Sequence, residues 1–248
     1  MKIDYAIKSY KRAGQVKTLE IMPYAKIWIP ESQLKDYLKY YSKSQLRTVP
    51  DDEDGNACKK ANAILDRTKY VIIVDDDISS IGYWENGYHY KLEADDLKRF
   101  IERGFDLAKQ LGVRMWGVNV KKDEIGYTTY KPISFLSPLL APFCGYLDTD
   151  IRNDLSLPTK HDYDFWLQNI KKYRKTLRFN KYHYTHKHGI AEGGLAGVRT
   201  MKMEKQSAQT LLNKWGSKVI KIGGSKVWNG RDERNILNTR VSVPINGA

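Results

Sequence analysis

The chain has little cysteine, no long apolar run and few acids in its last third, and each shortage narrows what it can be. Its two cysteines, Cys58 and Cys144, stand alone without CxxC spacing. That excludes a disulfide framework or a thiolate zinc site and leaves two small core residues. No apolar stretch approaches the roughly 18 residues of a membrane span, and Met1-Lys2-Ile3-Asp4-Tyr5 lacks the apolar h-region of a signal peptide, so the expectation is a cytoplasmic protein. Internal repeats, low-complexity tracts and linker-like segments are also missing. The glycine-rich Glu192-Gly193-Gly194-Leu195-Ala196-Gly197 lacks GxGxxG spacing and reads as a loop, not a phosphate-binding fingerprint.

What is present is a chain of 248 residues, 41% hydrophobic, long enough for one large α/β domain. Its charge is divided unevenly. Residues 1–159 carry 24 Lys and Arg against 23 Asp and Glu, whereas residues 160–248 carry 18 against 6. A field of one sign attracts a polyanion, nucleic acid first and an anionic membrane surface second, unless it is only a solvated basic face. Tyr163, Phe165, Trp166, Tyr173, Phe179, Tyr182, Tyr184, Trp215 and Trp228 interleave with these cations. Such aromatics can stack on bases while Lys171, Lys172, Arg174 and Lys175 hold phosphates.

The densest chemical signal is Val71-Ile72-Ile73-Val74 running into Asp75-Asp76-Asp77. Four β-branched residues in a row describe a strand buried on both faces, and in open α/β sheets ligands bind beyond the carboxyl ends of such strands. Adjacent carboxylates there repel one another and can hold Mg²⁺ or Mn²⁺ through oxygen, leaving the other positions to water and phosphate. The competing reading is an acidic helix N-cap in Asp77-Ile78-Ser79-Ser80.

Alternating patterns place strands at Ile3–Ser9, Ala25–Ile29, Tyr70–Val74, Arg114–Val120, Leu139–Leu147 and Lys181–His188. Helices are expected at Ala13–Ile21, Ser32–Tyr41, Asn56–Asp66, Glu93–Leu111, Asp162–Lys172 and Met203–Trp215. Lys121–Pro142, with three prolines, reads as hairpins or a flap. The order implies right-handed crossovers and a mainly parallel sheet with helices on both faces. Three strand ends then open on one edge: Ser9-Tyr10-Lys11-Arg12, Pro30-Glu31-Ser32 and the triple Asp. One ligand touching all three would meet Ser9, Tyr10, Arg12, Glu31, Asp75 and Asp76. Lys60, at the margin of its helix's apolar stripe, reaches either a phosphate or only solvent. Asp162, at the start of a later helix, is either an N-cap or a general base on the acceptor side of the cleft.

The run Gly55-Asn56-Ala57-Cys58-Lys59-Lys60-Ala61-Asn62, then Tyr70–Asp77, then His161-Asp162-Tyr163-Asp164-Phe165-Trp166 resembles the GT-A glycosyltransferase pattern over roughly residues 1–190. Ile7-Lys8-Ser9-Tyr10-Lys11-Arg12, Ile27-Trp28-Ile29-Pro30-Glu31 and Val74–Ser79 resemble, more specifically, the TET-associated glycosyltransferases of bacteriophages. The resemblance implies a GT-A core over residues 1–190, with a nucleotide-sugar half to about residue 120 and an acceptor half beyond it. Residues 191–248 form a basic extension packed on the same domain. It implies Asp75 and Asp77 as a DxD pair for Mn²⁺ or Mg²⁺, and Asp162 as base with Asp164 as its alternative. His161 departs from the usual Glu. A late histidine, His188, would complete the metal site.

The activity so implied is metal-dependent, inverting transfer of a sugar from a nucleotide diphosphate sugar, UDP-linked first, to 5-hydroxymethylcytosine or another hydroxymethylpyrimidine in double-stranded phage DNA. The enzyme would then work in the host cytoplasm, and the base would be flipped into a pocket bearing Trp166 or Trp84. A glycan or protein acceptor, or a non-catalytic nucleic-acid-binding module on a degenerate transferase fold, are the other readings.

Overall fold

A computed structural model describes residues 1–120, 130–186, 200–223 and 239–243. Its strands are β1 (Asp4–Lys8), β2 (Lys26–Pro30), β3 (Leu46–Val49), β4 (Tyr70–Asp75), β5 (Ile78–Glu85), β6 (Tyr88–Lys91), β7 (Met115–Asn119), β8 (Ile133–Ser134), β9 (Phe143–Leu147), β10 (Leu177–His186), β11 (Ile220–Ile222) and β12 (Thr239–Val241). Six α-helices intervene: α1 (Thr18–Ile21), α2 (Leu34–Tyr37), α3 (Ala57–Arg67), α4 (Ala94–Gln110), α5 (His161–Tyr173) and α6 (Met201–Trp215). Among the described residues no helix is long and apolar enough to cross a membrane.

One large sheet runs in the order β3-β2-β1-β4-β9-β7-β10-β5-β6, with β8 added to β10. The strands β3, β2, β1 and β4 are mutually parallel, β7 and β10 are parallel to each other, and β9 and β5 run in reverse. The period-two alternation of β4 divides its apolar run between two cores. Ile72 and Val74 join one with Leu97, Ile101 and Phe105 of α4, while Val71 and Ile73 join the other with Ile64 of α3, Phe165 of α5 and Leu211 of α6. Helices therefore cover both faces, as the unbroken β-branched run requires.

The central position is set by Trp116 on β7, 0% exposed. Its indole lies over Gly145, its cross-strand partner on β9, where an added Cβ would stand 2.0 Å from the indole nitrogen, and against Gly104 on α4. Two glycines leave the room that one large aromatic fills.

Several expected boundaries shift for local reasons. The helix expected from Ala13 begins only at Thr18, after Gly14 takes a left-handed φ of 76°. The second expected helix splits into a 3₁₀ turn at Glu31–Gln33 and the short α2. Asn56 caps α3 by accepting from the Lys59 N–H at 2.8 Å. The competing N-cap reading of Asp77–Ser80 fails, because no helix follows: β5 does, and turns back into β6 through Asn86-Gly87, both at positive φ, the Asn-Gly pair of a tight hairpin.

Candidate active site

Parallel pairing brings the ends of β1, β2 and β4 to one edge, and the register sets Lys8 directly beside Asp75. Its ammonium lies 2.9 Å from Asp75 Oδ1. Burial lowers the pKa of Lys8 and the Asp75 charge more than offsets this, leaving it above the ordinary lysine value. Thr18 fixes the turn after β4, donating to the Asp75 carbonyl at 2.6 Å and accepting from the Ile78 N–H at 3.0 Å.

Asp76 turns inward and is 5% exposed. Ser9 donates to its Oδ2 at 2.6 Å, Arg12 pairs with its Oδ1, and Tyr37 shares a 2.7 Å hydrogen bond with the Ser9 hydroxyl. Burial pushes the Asp76 carboxyl up to about 6 against the opposing pull of Ser9 and Arg12. Lys60 is buried as well. It pairs with Asp54 at 3.0 Å and donates to the Ser9 carbonyl, which ties α3 to the end of β1. These contacts correct three expectations, because Ser9, Lys60 and Asp76 are buried and engaged with one another and with Arg12, Tyr37 and Asp54. Tyr10 and Glu31 are exposed, and Arg12, though mostly buried, borders a surface cavity with Gly14, Lys17, Glu20 and Asp77.

Asp77 behaves differently from its neighbours. Its Oδ2 accepts from Arg12 at 3.3 Å, while its Oδ1 is buried without a hydrogen-bond partner. A buried carboxylate oxygen left unpaired is costly, and a hard cation is a partner that would satisfy it. Among the described residues no three His, Cys, Asp or Glu side chains converge on one point. Asp77 and, by DxD spacing, Asp75 would be the residues to hold a Mg²⁺ or Mn²⁺, with substrate phosphate and water supplying the other ligands. His188 lies outside the described residues, but the strand leading toward it delivers His186 opposite Ile78, next to Asp77.

The acceptor side is built by α5. Lys160 takes a left-handed conformation, φ 60°, immediately before His161 and Asp162 begin the helix. Beyond burial, the charges of Asp75 and Asp162 both raise the pKa of Cys144, Tyr146 and Tyr184, so the two carboxylates share these three buried side chains as neighbours. Burial lowers the pKa of His161 and favours its neutral form, and its Nδ1 is buried without a partner. Asp162 Oδ1 accepts from the Tyr163 N–H at 2.9 Å.

Asp164, the alternative base, is 0% exposed and faces α6. It accepts from Trp215 Nε1 at 2.8 Å, Gln168 Nε2 at 2.8 Å and Lys214 Nζ at 3.0 Å. With three donors engaged it is an anchor and not a base. Trp166 is likewise corrected: it is 1% exposed in the core and donates to Thr176 Oγ1, so no base can stack on it. Phe165 and Tyr184 are buried too, and Phe179 and Tyr182 pack on the first core. Trp228 lies outside the described residues.

The basic residues ending α5 lie far from Asp75. Lys172 pairs with Asp150, just beyond β9, whose Leu147 is in register with Tyr70 at the start of β4. Lys171 and Lys172 lie near the far end of α5, about 15 Å along the helix axis from Asp162 at its start. Two site residues escaped the sequence reading, Lys8 and Tyr37. Lys8 had a signal, since parallel strands of equal register place the last residue of one beside the last residue of the next. Tyr37 had none.

No family model matches the sequence, and no curated protein matches it. Solved structures do resemble the chain. Glucosyl-3-phosphoglycerate synthase from Mycobacterium tuberculosis, in complex with Mn²⁺, uridine diphosphate and glucosyl-3-phosphoglycerate, aligns over 97% of this chain and 86% of its own, at 9% identity and a TM-score of 0.51. The same enzyme with Mg²⁺ and uridine diphosphate gives a TM-score of 0.53 at 9% identity over the same shares. With Mn²⁺, UDP-glucose and glycerol 3-phosphate it gives 0.52 at 10% identity, covering 89% of this chain and 83% of that one. Likeness at this identity is likeness of fold, and the chain has the GT-A glycosyltransferase fold.

Proposed function

We propose that this protein is a glycosyltransferase that takes a sugar from a nucleotide diphosphate sugar and passes it to a hydroxyl acceptor. The observation that carries the reading is the buried, partnerless Oδ1 of Asp77, two residues after Asp75 at the carboxyl end of β4. The structures of similar fold, solved with Mn²⁺ or Mg²⁺ and uridine diphosphate, support this donor class. Asp75 and Asp77 would hold the divalent ion, which when bound would offset negative charge on the leaving diphosphate.

The chain's own residues do the rest. Asp162 takes the proton of the incoming hydroxyl as that oxygen forms its bond to the sugar C1, while the bond from C1 to the diphosphate oxygen breaks and the diphosphate departs with the electron pair. Attack from the face opposite the leaving group inverts the anomeric centre. Neutral His161, beside Asp162, keeps a second cation from forming against the base.

For the acceptor, we propose the hydroxymethyl group of a pyrimidine in DNA. Its support is the charge of residues 160–248 and the cation cluster ending α5. Because that cluster begins about 15 Å along the helix from Asp162, it would grip a duplex flank. Trp166 is core, and the flipped base would need other walls. The test is hydrolysis of UDP-sugars in Mn²⁺, with and without hydroxymethylated DNA. Stimulation by that DNA and not by unmodified DNA or oligosaccharide is expected, with the product mass naming the sugar. Stimulation by oligosaccharide alone would replace the acceptor and leave the donor reading intact. In Asp77→Asn turnover should vanish while DNA binding persists, and retained turnover would remove the metal assignment.

A further inference from the structure

Three adjacent acids look, in sequence, as though they need a cation from outside, yet the first strand and the loop after it already supply cations to all three. Arg12 holds Asp76 and Asp77, and Lys8 holds Asp75 at 2.9 Å with its own side chain only 10% exposed. The strand register fixes this proximity, because Lys8 and Asp75 are paired residues on the same face as Ala6, Val71 and Ile73. A cation so close and so shielded from water competes with any second cation for that carboxylate. Asp77 Oδ1, by contrast, is uncontested.

We propose that Lys8 is an internal competitor that sets the divalent-cation affinity of this site. It keeps the acids assembled in the metal-free chain and must yield Asp75 when an ion is bound, whereas Asp77 is the first point of attachment. The inference rests on the nucleotide-sugar reading above. Two consequences separate it from an ordinary acidic metal site. The fold does not depend on the ion, since Lys8 pairs with Asp75 and Arg12 with Asp76 and Asp77 without it. Metal and nucleotide binding are also reciprocally coupled, because the diphosphate adds the negative charge that lets an ion displace the lysine.

The experiment is a Mn²⁺ titration followed by electron paramagnetic resonance of the free ion, with and without uridine diphosphate. Thermal midpoints are taken alongside, in Mn²⁺ and in EDTA. Wild type, Lys8→Met and Lys8→Gln are compared, the last keeping a hydrogen-bonding group at Asp75 should the methionine variant fail to fold. The wild-type midpoint should be the same in EDTA as without it. Both variants should bind Mn²⁺ roughly tenfold more tightly than wild type, the scale on which a neighbouring charge alters a carboxylate's affinity for a cation, and should gain more in midpoint on adding Mn²⁺. Equal or weaker binding in the folded variants, with wild type still binding Mn²⁺ in the presence of nucleotide, overturns the role of Lys8 alone. A metal-free wild type that no longer melts cooperatively in EDTA overturns it too. Absence of Mn²⁺ binding from every protein, nucleotide present, removes the nucleotide-sugar reading and the lysine's role with it.

Discussion

Asp162 and Asp164 stand two residues apart on α5 and are separated by about 200° around the helix, so Asp162 points away from the packing between α5 and α6 that holds Asp164. That rotation decides their roles. Asp162→Asn should reduce turnover roughly a hundred- to ten-thousandfold, the worth of a positioned general base, with donor affinity and thermal midpoint close to wild type. Asp164→Asn should instead lower stability by roughly 1–3 kcal/mol, because it weakens a buried acceptor of three hydrogen bonds. Parallel kinetics and urea melts on the two variants check this, and the reverse pattern would exchange the assignments. The same logic separates the three acids: Asp76 has both oxygens engaged by Ser9 and Arg12, Asp75 pairs through Oδ1 with Lys8, and Asp77 keeps a buried oxygen without a partner.

At the scale of elements, α6 is attached to the core by charge as well as by Leu211. Lys214 bridges Asp154 at 2.7 Å and Asp164 at 3.0 Å. The Lys214 and Ser156 hydrogen bonds hold the Asp154 carboxyl down at about 2, below its ordinary 3.8. A depressed folded-state pKa contributes stability above the unfolded value and loses it as pH falls through the folded one. Asp154→Asn should therefore be less stable than wild type above pH 4, and the gap should close between about pH 4 and pH 2; urea midpoints taken along that series read it directly. The β7–β9 pair gives a second case. Gly145→Ala puts a methyl where the Trp116 indole lies 2.0 Å away, and overpacking of this kind costs typically about 1–3 kcal/mol, more where backbone is in the way. A Trp116→Phe change on that background should recover part of the loss, which a thermal melt of the double variant would show.

For the whole molecule, the sheet places two kinds of charge at opposite edges. The acids and Asp162 gather where the parallel strands end, while Lys171, Lys172, Arg174 and Lys175 gather past the other end of α5, with Lys69 and Arg114 near Asp148 at the same edge. Neutralising those four α5 residues should weaken binding to duplex DNA and flatten its dependence on salt, by a slope of up to about 0.9 per lost phosphate contact. Mn²⁺-dependent hydrolysis of the donor should be unchanged, since the two edges are separated by the length of the helix. An unchanged salt slope would take this cluster out of any nucleic-acid interface.

The sequence by itself determined the sheet-forming strand ahead of the acids, the helices of α3, α4, α5 and α6 to within a few residues, and the meeting of Ser9, Glu31 and Asp75 at one edge. Those follow from local periodicity and from the rule that parallel strands end together. It left out β3 and the β5–β6 hairpin, although Asn86-Gly87 was a readable turn signal. Only the tertiary structure decided which charged groups are spent inside the protein. Lys60, Ser9, Asp76, Asp164 and Trp166 are residue types that bind ligands elsewhere, and here burial pairs each with a partner 10 to 67 positions away. Such pairings lie beyond any local pattern, because desolvation makes a buried polar group take whatever partner the packing brings to it.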